Sequence, residues 1–276
     1  MLRILRNTMI GLVGTALAVW LLAVGYLYFE QCHILFHPEP ETEPIAISGL
    51  ALQDIRIHTP DGETLQAVYE PPQPGKPIIL FFHGQGGTLM VGKWRYLRMH
   101  KAGVGFLALA YRGYSGSTGK PTEKGLLIDG LAAYDWLKAQ GFRDSDIVIH
   151  GHSLGTGVAT YVATQRPARA LILEAPFTAA SDVAAERYPY IPVSLLMKDK
   201  FLSRERIREV HMPVLIAHGD RDSIIPFAES ERLYQLTNAP KVFIRMRGSE
   251  HNTLTRDGVY SYYWKFLGLP DTEPPF

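Results

Sequence analysis

The sequence predicts an α/β fold in which helices flank a mostly parallel sheet of about eight strands. Short apolar segments alternate with helical patterns along most of the 276-residue chain, at the spacing of strand–helix units joined by right-handed crossovers. Hydrophobic residues make up 46% of the chain and charged residues 20%, which supplies a large core and excludes a disordered protein. The formal net charge of +1 excludes a protein that binds nucleic acid by neutralising phosphates.

Apolar runs in the sequence indicate where the individual strands and helices lie. Two strands form a predicted hairpin around Asp61-Gly62, and six buried strands follow. The predicted strands are Leu52–His58, Leu65–Glu70, Pro77–His83, Gly105–Ala110, Asp146–His150, Arg169–Glu174, Pro213–His218 and Lys241–Met246. The predicted helices between them are about Thr88–Lys101, Glu123–Gln140, Leu154–Gln165, Pro226–Leu236 and Thr253–Leu267.

An uncharged segment near the amino terminus predicts a membrane anchor. Residues 7–29 would extend about 34 Å as a helix, enough to cross a hydrocarbon core of about 30 Å. The segment ends in aromatic residues and Glu30 without a small-residue cleavage site, which favours an uncleaved anchor over a signal peptide. Arg3 and Arg6 precede the segment, so the amino terminus is expected to stay in the cytoplasm and the remaining chain to lie outside the inner membrane, in the periplasm.

The rest of the chain divides around that anchor. We expect a cytoplasmic amino terminus over residues 1–6, the transmembrane anchor over 7–29, a stalk over 30–44, a folded domain over 45–270 and a tail over 271–276. The stalk prediction depends on the segment His37–Pro44, which is rich in proline and acid and cannot continue a helix. The single cysteine, Cys32, excludes a disulfide within the chain and a zinc site that needs several thiolates.

The most informative motif is Gly151-His152-Ser153-Leu154-Gly155, which lies between a predicted strand and a predicted helix. A G-x-S-x-G sequence in that context forms a tight turn in a strained conformation, which presents a serine nucleophile at a helix amino terminus. The motif therefore predicts Ser153 as a catalytic nucleophile. The alternative is an ordinary serine in a strand–helix turn.

A serine nucleophile needs a general base and an acid that orients it, and both follow in the sequence in the order acid, then histidine. The loop after the strand Pro213–His218 offers Asp220 and Asp222. The loop after the last strand contains His251, which we predict as the base. A surface histidine is the alternative.

A glycine-rich turn after an early strand, His83-Gly84-Gln85-Gly86-Gly87, predicts part of an oxyanion hole. The expected donors are the backbone N–H groups of Gln85 and of Leu154, the residue after the nucleophile. A flexible loop without that role is the alternative.

These motifs resemble the α/β-hydrolase superfamily, in particular its membrane-anchored branch with a short cap, which includes depalmitoylase-like proteins. The resemblance covers about residues 45–267 and implies the α/β-hydrolase fold with a small helical cap over residues 176–212. It also implies Asp222 as the catalytic acid, because Asp222 matches the aspartate of a D-x-x-x-P motif. Ala110 departs from the family, which usually has aspartate there, but that position lies outside the catalytic triad.

The predicted cap carries apolar residues that are candidates for an acyl pocket, although the same residues could simply form the core of the cap. They are Phe177, Tyr188, Leu195 and Leu196.

No cofactor or metal is expected. The glycines around Gly103 precede a strand instead of following one, which is wrong for a dinucleotide, and the histidine pairs lack a third ligand.

The sequence therefore predicts a membrane-anchored serine hydrolase that cleaves carboxylic esters or thioesters through an acyl-enzyme. The expected partners are a small-molecule or acyl-chain substrate near the membrane and the membrane itself. One alternative is an aminopeptidase-like amidase on the same triad, for which Asp182 and Glu186 are the nearby acidic residues. The other is a non-catalytic binding protein with a hydrolase fold.

Overall fold

An eight-stranded sheet forms the centre of the protein in a computed structural model, which describes residues 1–39 and 45–272. The strands are β1 (Gln53–His58), β2 (Thr64–Glu70), β3 (Ile78–Phe82), β4 (Gly105–Leu109), β5 (Ile147–His152), β6 (Ala170–Glu174), β7 (Val214–Gly219) and β8 (Lys241–Met246). The strand order is β1-β2-β4-β3-β5-β6-β7-β8, and only β2 runs antiparallel to its neighbours among these strands. This order is that of the α/β-hydrolase fold, and the predicted fold is confirmed.

Helices cover both faces of the central strands, which are buried throughout. The helices are α1 (Leu2–Phe36), α2 (Lys93–Lys101), α3 (Glu123–Ala139), α4 (Gly155–Gln165), α5 (Ala180–Arg187), α6 (Val193–Leu196), α7 (Ser203–Arg206), α8 (Phe227–Leu236) and α9 (Val259–Leu267). Every residue of β3, β4 and β6 is buried, because central parallel strands are covered on both faces. This is why these strands read as continuous apolar runs in the sequence.

Two predicted helices begin elsewhere than expected. The helix predicted from Thr88 is a short 3₁₀ turn, Leu89–Gly92, followed by α2. The helix predicted from Thr253 begins only at Val259, after a series of turns that ends at Gly258 with φ +87°. In the region predicted as the cap, three short helices, α5 to α7, follow β6.

The amino-terminal helix α1 is longer than the predicted anchor. By length and composition it could cross a membrane, since 18 of its residues have a mean hydropathy of 2.1. Its last turns, residues 30–36, were expected in the stalk but are helical, because Phe36 is fully buried against the domain, with its ring 6.3 Å from that of Phe201. The helix ends at His37, which adopts φ +42°, before Pro38. Residues 40–44 of the predicted stalk and 273–276 of the predicted tail lie outside the described residues.

Candidate active site

Ser153 sits at the sharp turn between β5 and α4, at the carboxyl edge of the sheet. Its φ of +53° is rare for a residue with a side chain and shows backbone strain at this position. The flanking glycines allow the turn to be this tight: a Cβ at Gly155 would lie 2.2 Å from the carbonyl oxygen of Phe82, and a Cβ at Gly151 would lie 2.5 Å from that of Gly155. The strained turn predicted from the motif is therefore present.

The structure brings Ser153, His251 and Asp222 into one hydrogen-bonded chain, although they lie on three separate loops. The Ser153 hydroxyl is 2.9 Å from Nε2 of His251. Nδ1 of the same ring is 2.6 Å from Oδ2 of Asp222. Ser153 and His251 are both buried, so the hydroxyl and the imidazole face each other with little competition from water. In this arrangement the hydroxyl can donate to the ring while the ring donates to the carboxylate.

The geometry also distinguishes Asp222 from Asp220, the two aspartates that the residues of this loop offer as the acid. Asp220 accepts hydrogen bonds from the side chain of Arg245 at 3.0 Å and from the backbone N–H of Gly248 at 2.7 Å, so it holds the loop beyond β8. Asp222 lies next to His251, and its other oxygen accepts from the backbone N–H of Ile225 at 2.9 Å.

A histidine that the sequence analysis did not select also contacts Asp222. Nε2 of His218, at the end of β7, lies 2.9 Å from Oδ2 of Asp222. Burial acts to raise the pKa of the Asp222 carboxyl, but hydrogen bonds from His218 and His251 outweigh burial and lower that pKa below its ordinary value. Asp222 is therefore ionised at neutral pH and fixed in orientation from two sides.

A buried ionic network, which the sequence did not predict, lies beneath the turn that carries Ser153. Both carboxylate oxygens of Glu174, the last residue of β6, accept from the Arg95 guanidinium, at 2.6 and 2.7 Å. The Tyr263 hydroxyl donates to the same carboxylate at 2.9 Å. The backbone carbonyl of Glu174 accepts from the N–H of Ser153 at 2.9 Å, so this network is bonded directly to the turn that carries Ser153.

The surroundings favour the ionised form of Glu174, which is paired with Arg95, and the neutral form of the nearby His152. Burial acts to raise the pKa of Glu174, yet the charge and the hydrogen bonds of Arg95 hold it well below its ordinary value. Burial, together with the Arg95 charge, lowers the pKa of His152 to about 3. The ring of His152 is centred 5.3 Å from that of His251, so its neutral state at pH 7 avoids repulsion of a protonated His251.

The glycine-rich turn after β3 lies against Ser153. A Cβ added at Gly84 would be 3.3 Å from Cβ of Ser153. The backbone carbonyl of Gln85 accepts from the Tyr114 hydroxyl at 2.7 Å, and its side-chain amide donates to the carbonyl of Ile34 at 2.6 Å. Gln85 and Leu154, the predicted oxyanion donors, both border the cavity that contains Ser153.

That cavity has a volume of about 640 Å³ and a mainly apolar lining. Three of the predicted pocket residues, Phe177, Tyr188 and Leu196, line it. Leu195 does not: its side chain is 82% exposed, because α6 is a single turn that points Leu195 away from the domain. Residues of α1 also line the cavity, which the sequence analysis did not anticipate.

The acidic residues considered for an amidase are engaged elsewhere. Asp182 is ion-paired with Arg204, and Glu186, at the cavity wall, is 3.5 Å from Arg232. Across residues 1–39 and 45–272, no group of three or more His, Cys, Asp or Glu is positioned to hold a metal ion.

Comparison with known proteins places this architecture among hydrolases. A family described as an alpha/beta hydrolase domain matches residues 100–258. An uncharacterized protein of Mycobacterium tuberculosis strain H37Rv is 37% identical over 233 residues, which cover 83% of each chain. The lysophosphatidylserine lipase ABHD12 of Rattus norvegicus is 35% identical over 60% of this chain, a stretch that spans about half (47%) of the lipase.

Solved structures have the same fold. An esterase of Pyrococcus furiosus superposes with a TM-score of 0.67 at 17% identity, covering 84% of this chain and 94% of the esterase. The Est1E protein of Butyrivibrio proteoclasticus, solved with ferulic acid bound, has a TM-score of 0.63 at 22% identity and covers 78% of this chain and 99% of its own.

Proposed function

The chain belongs to the α/β-hydrolase family, and on that premise we propose that it is a serine hydrolase that cleaves carboxylic esters or thioesters through an acyl-enzyme. The observation that carries the proposal is the hydrogen-bonded chain from Ser153 through His251 to Asp222, with distances of 2.9 and 2.6 Å, at the base of an apolar cavity. The esterase and lipase relatives support the same reaction class.

In the proposed mechanism, Ser153 attacks the substrate carbonyl while Nε2 of His251 takes the hydroxyl proton. Asp222, held ionised by two histidines, stabilises the imidazolium that forms and keeps Nδ1 protonated. The imidazolium then returns the proton to the leaving alkoxide or thiolate. Water, activated by the same ring, hydrolyses the acyl-enzyme and regenerates Ser153.

The negative charge on the tetrahedral intermediate needs donors that are already in position. The backbone N–H groups of Gln85 and Leu154 serve as these donors in our proposal. Support comes from their common cavity with Ser153 and from the Tyr114 hydrogen bond that fixes the backbone at Gln85. A donor of this kind contributes about 3–4 kcal/mol to transition-state stabilisation in serine hydrolases.

We further propose that α1 anchors the enzyme in the inner membrane, with the amino terminus cytoplasmic and the catalytic domain in the periplasm. The uncharged segment over residues 7–29 and the position of Arg3 and Arg6 before it support this orientation.

The test is hydrolysis of p-nitrophenyl acetate by the purified full-length protein and by Ser153→Ala. We expect the wild type to release p-nitrophenol and the variant to lose at least about 10³-fold in kcat, since removal of a triad nucleophile costs that much or more. Ser223→Ala is the matched control, because Ser223 borders the same cavity, whereas the hydroxyl bonded to His251 is that of Ser153. Equal turnover by wild type and Ser153→Ala would contradict the proposal.

A further inference from the structure

We propose that α1 forms a wall of the acyl-binding cavity, so that the substrate is a membrane amphiphile whose acyl chain enters from the outer leaflet between α1 and the cap. This inference rests on the proposed hydrolase function. The cap here means residues 176–212, which contain α5, α6 and α7.

One face of α1 lines the cavity. Its lining residues are Val24, Leu27, Tyr28, Gln31, Ile34 and Leu35. Their spacing of three, four and seven residues puts them on a single stripe of the helix. The stripe faces the cap residues Val183, Ile191 and Met197 across the same cavity as Ser153. On the other side of the helix, Leu22 is 74% exposed.

Hydrogen bonds hold this part of α1 in a defined position. The indole N–H of Trp20 donates to the carbonyl of Tyr190 in the cap at 3.0 Å. The side-chain carbonyl of Gln31 accepts from the backbone N–H of Lys198 at 2.8 Å. The carbonyl of Ile34 accepts from Gln85 in the predicted oxyanion turn. The helix is thus bonded both to the cap and to the turn beside the nucleophile, which makes it a structural part of the site.

Helix length places the cap tip below the membrane surface. If Arg6 lies at the cytoplasmic boundary, Trp20, which is 14 residues further along the helix, lies about 21 Å into a hydrocarbon core of about 30 Å. The cap residue bonded to Trp20 is then about 9 Å inside the outer boundary, a depth typical of interfacial elements.

The cap surface fits that depth. Tyr190 is 85% exposed and Leu195 is 82% exposed, and both belong to the cap segment that contacts Trp20. Large exposed apolar side chains are costly in water, whereas tyrosine and leucine are favourable at the boundary between head groups and acyl chains. By the same count Val24, the residue of the cavity lining nearest to Trp20 on α1, lies about 27 Å from Arg6 and so within the hydrocarbon core. We place the mouth of the cavity at this end, beside the acyl chains of the outer leaflet, from which a substrate chain reaches Ser153 without crossing water.

The experiment compares chain-length preference in full-length protein reconstituted into phosphatidylcholine vesicles. The ratio of kcat/KM for p-nitrophenyl dodecanoate to that for p-nitrophenyl acetate is measured in wild type, Leu27→Trp and Leu22→Trp. Leu27→Trp places a larger side chain in the part of the cavity that α1 lines, so we expect the dodecanoate-to-acetate ratio of kcat/KM to fall at least tenfold. Leu22→Trp makes the same replacement on the exposed face and is expected to keep the wild-type ratio.

A second variant acts in the opposite direction. Leu27→Ala widens the cavity, and we expect the preferred chain in the series from octanoate to hexadecanoate to become longer. A ratio and a chain-length optimum that stay unchanged in both Leu27 variants would overturn the role of α1. An equal effect of Leu22→Trp and Leu27→Trp would overturn it as well. Failure of the proposed hydrolase function appears differently, as wild-type turnover of acetate that does not depend on Ser153.

Discussion

Removal of the Arg95 side chain tests how the turn that carries Ser153 is supported. Arg95→Met keeps most of the side-chain volume but leaves the Glu174 carboxylate, which is fully buried, without its cation. An uncompensated buried charge costs about 3–5 kcal/mol. For a domain of this size, each kcal/mol lowers Tm by about 2–4 °C, so we expect a decrease of about 6–20 °C.

The double variant Arg95→Met/Glu174→Gln separates charge from packing. It removes the unpaired carboxylate, so we expect it to recover at least half of the lost Tm. Arg143→Met is the matched control, because Arg143 pairs with Asp146 at the surface, where its side chain is 79% exposed. Exposed pairs contribute little, so this variant is expected to shift Tm by no more than about 2 °C.

The assay is thermal unfolding of the detergent-solubilised full-length proteins, followed by circular dichroism at one fixed scan rate. An Arg95→Met protein that melts within 2 °C of wild type would refute the reasoning, because such a result means that the carboxylate is not held as a buried charge. A double variant less stable than Arg95→Met would refute it as well, since the destabilisation would then come from lost packing.

Two further predictions concern Asp222 and His83, the residue that follows β3. Asp222→Asn should lower kcat for ester hydrolysis by about 10³–10⁴-fold, because the ring of His251 loses its orienting carboxylate. Asp220→Asn should keep kcat within about threefold of wild type, since Asp220 bonds Arg245 instead. Equal losses of kcat in the two variants, measured in steady-state assays, would contradict the assignment. Burial lowers the pKa of His83 to about 4, so from pH 6.5 downward the unfolded chain binds a proton that the folded protein excludes. The free energy of unfolding should fall by up to about 1.4 kcal/mol per pH unit between pH 6.5 and 4, and His83→Gln should make that slope shallower in urea titrations; an unchanged slope would show that His83 does not titrate in this way.

The central strands of the sheet were predictable because they are buried on both faces. Continuous apolar runs such as Ile78–Phe82 and Ala170–Glu174 differ clearly from the helical patterns between them, and most predicted strand limits agree with the structure to within a residue or two. The tight turn at Ser153 was also predictable from its flanking glycines, because a Cβ at Gly151 or Gly155 would clash with backbone atoms.

The contacts of α1 were not predictable from local sequence. Glu30 ends the uncharged run, so the segment from Glu30 to Phe36 reads as the start of a polar stalk. In the structure, tertiary packing of Phe36 and the hydrogen bond to Ile34 extend the helix. Nothing in the spacing of the sequence indicates that residues of this helix face the cap.

The ionic network beneath the turn that carries Ser153 could not be predicted for a similar reason. Arg95 occurs in a short helix with Arg98, His100 and Lys101, where it reads as one more surface cation. Its partner Glu174 is 79 residues away, at the end of a buried strand. His218 was considered only as the last residue of a strand, and its bond to Asp222 depends on how the loop after β7 turns back.

The central claim is that Ser153 is an activated nucleophile. The most direct measurement is mass spectrometry of the full-length protein in membranes after reaction with a fluorophosphonate, with His251→Ala as comparison. Our account predicts an adduct on the peptide that contains Ser153 in the wild type and at least a tenfold slower reaction in His251→Ala. An adduct on a different residue, or a folded wild-type protein that does not react, would contradict it.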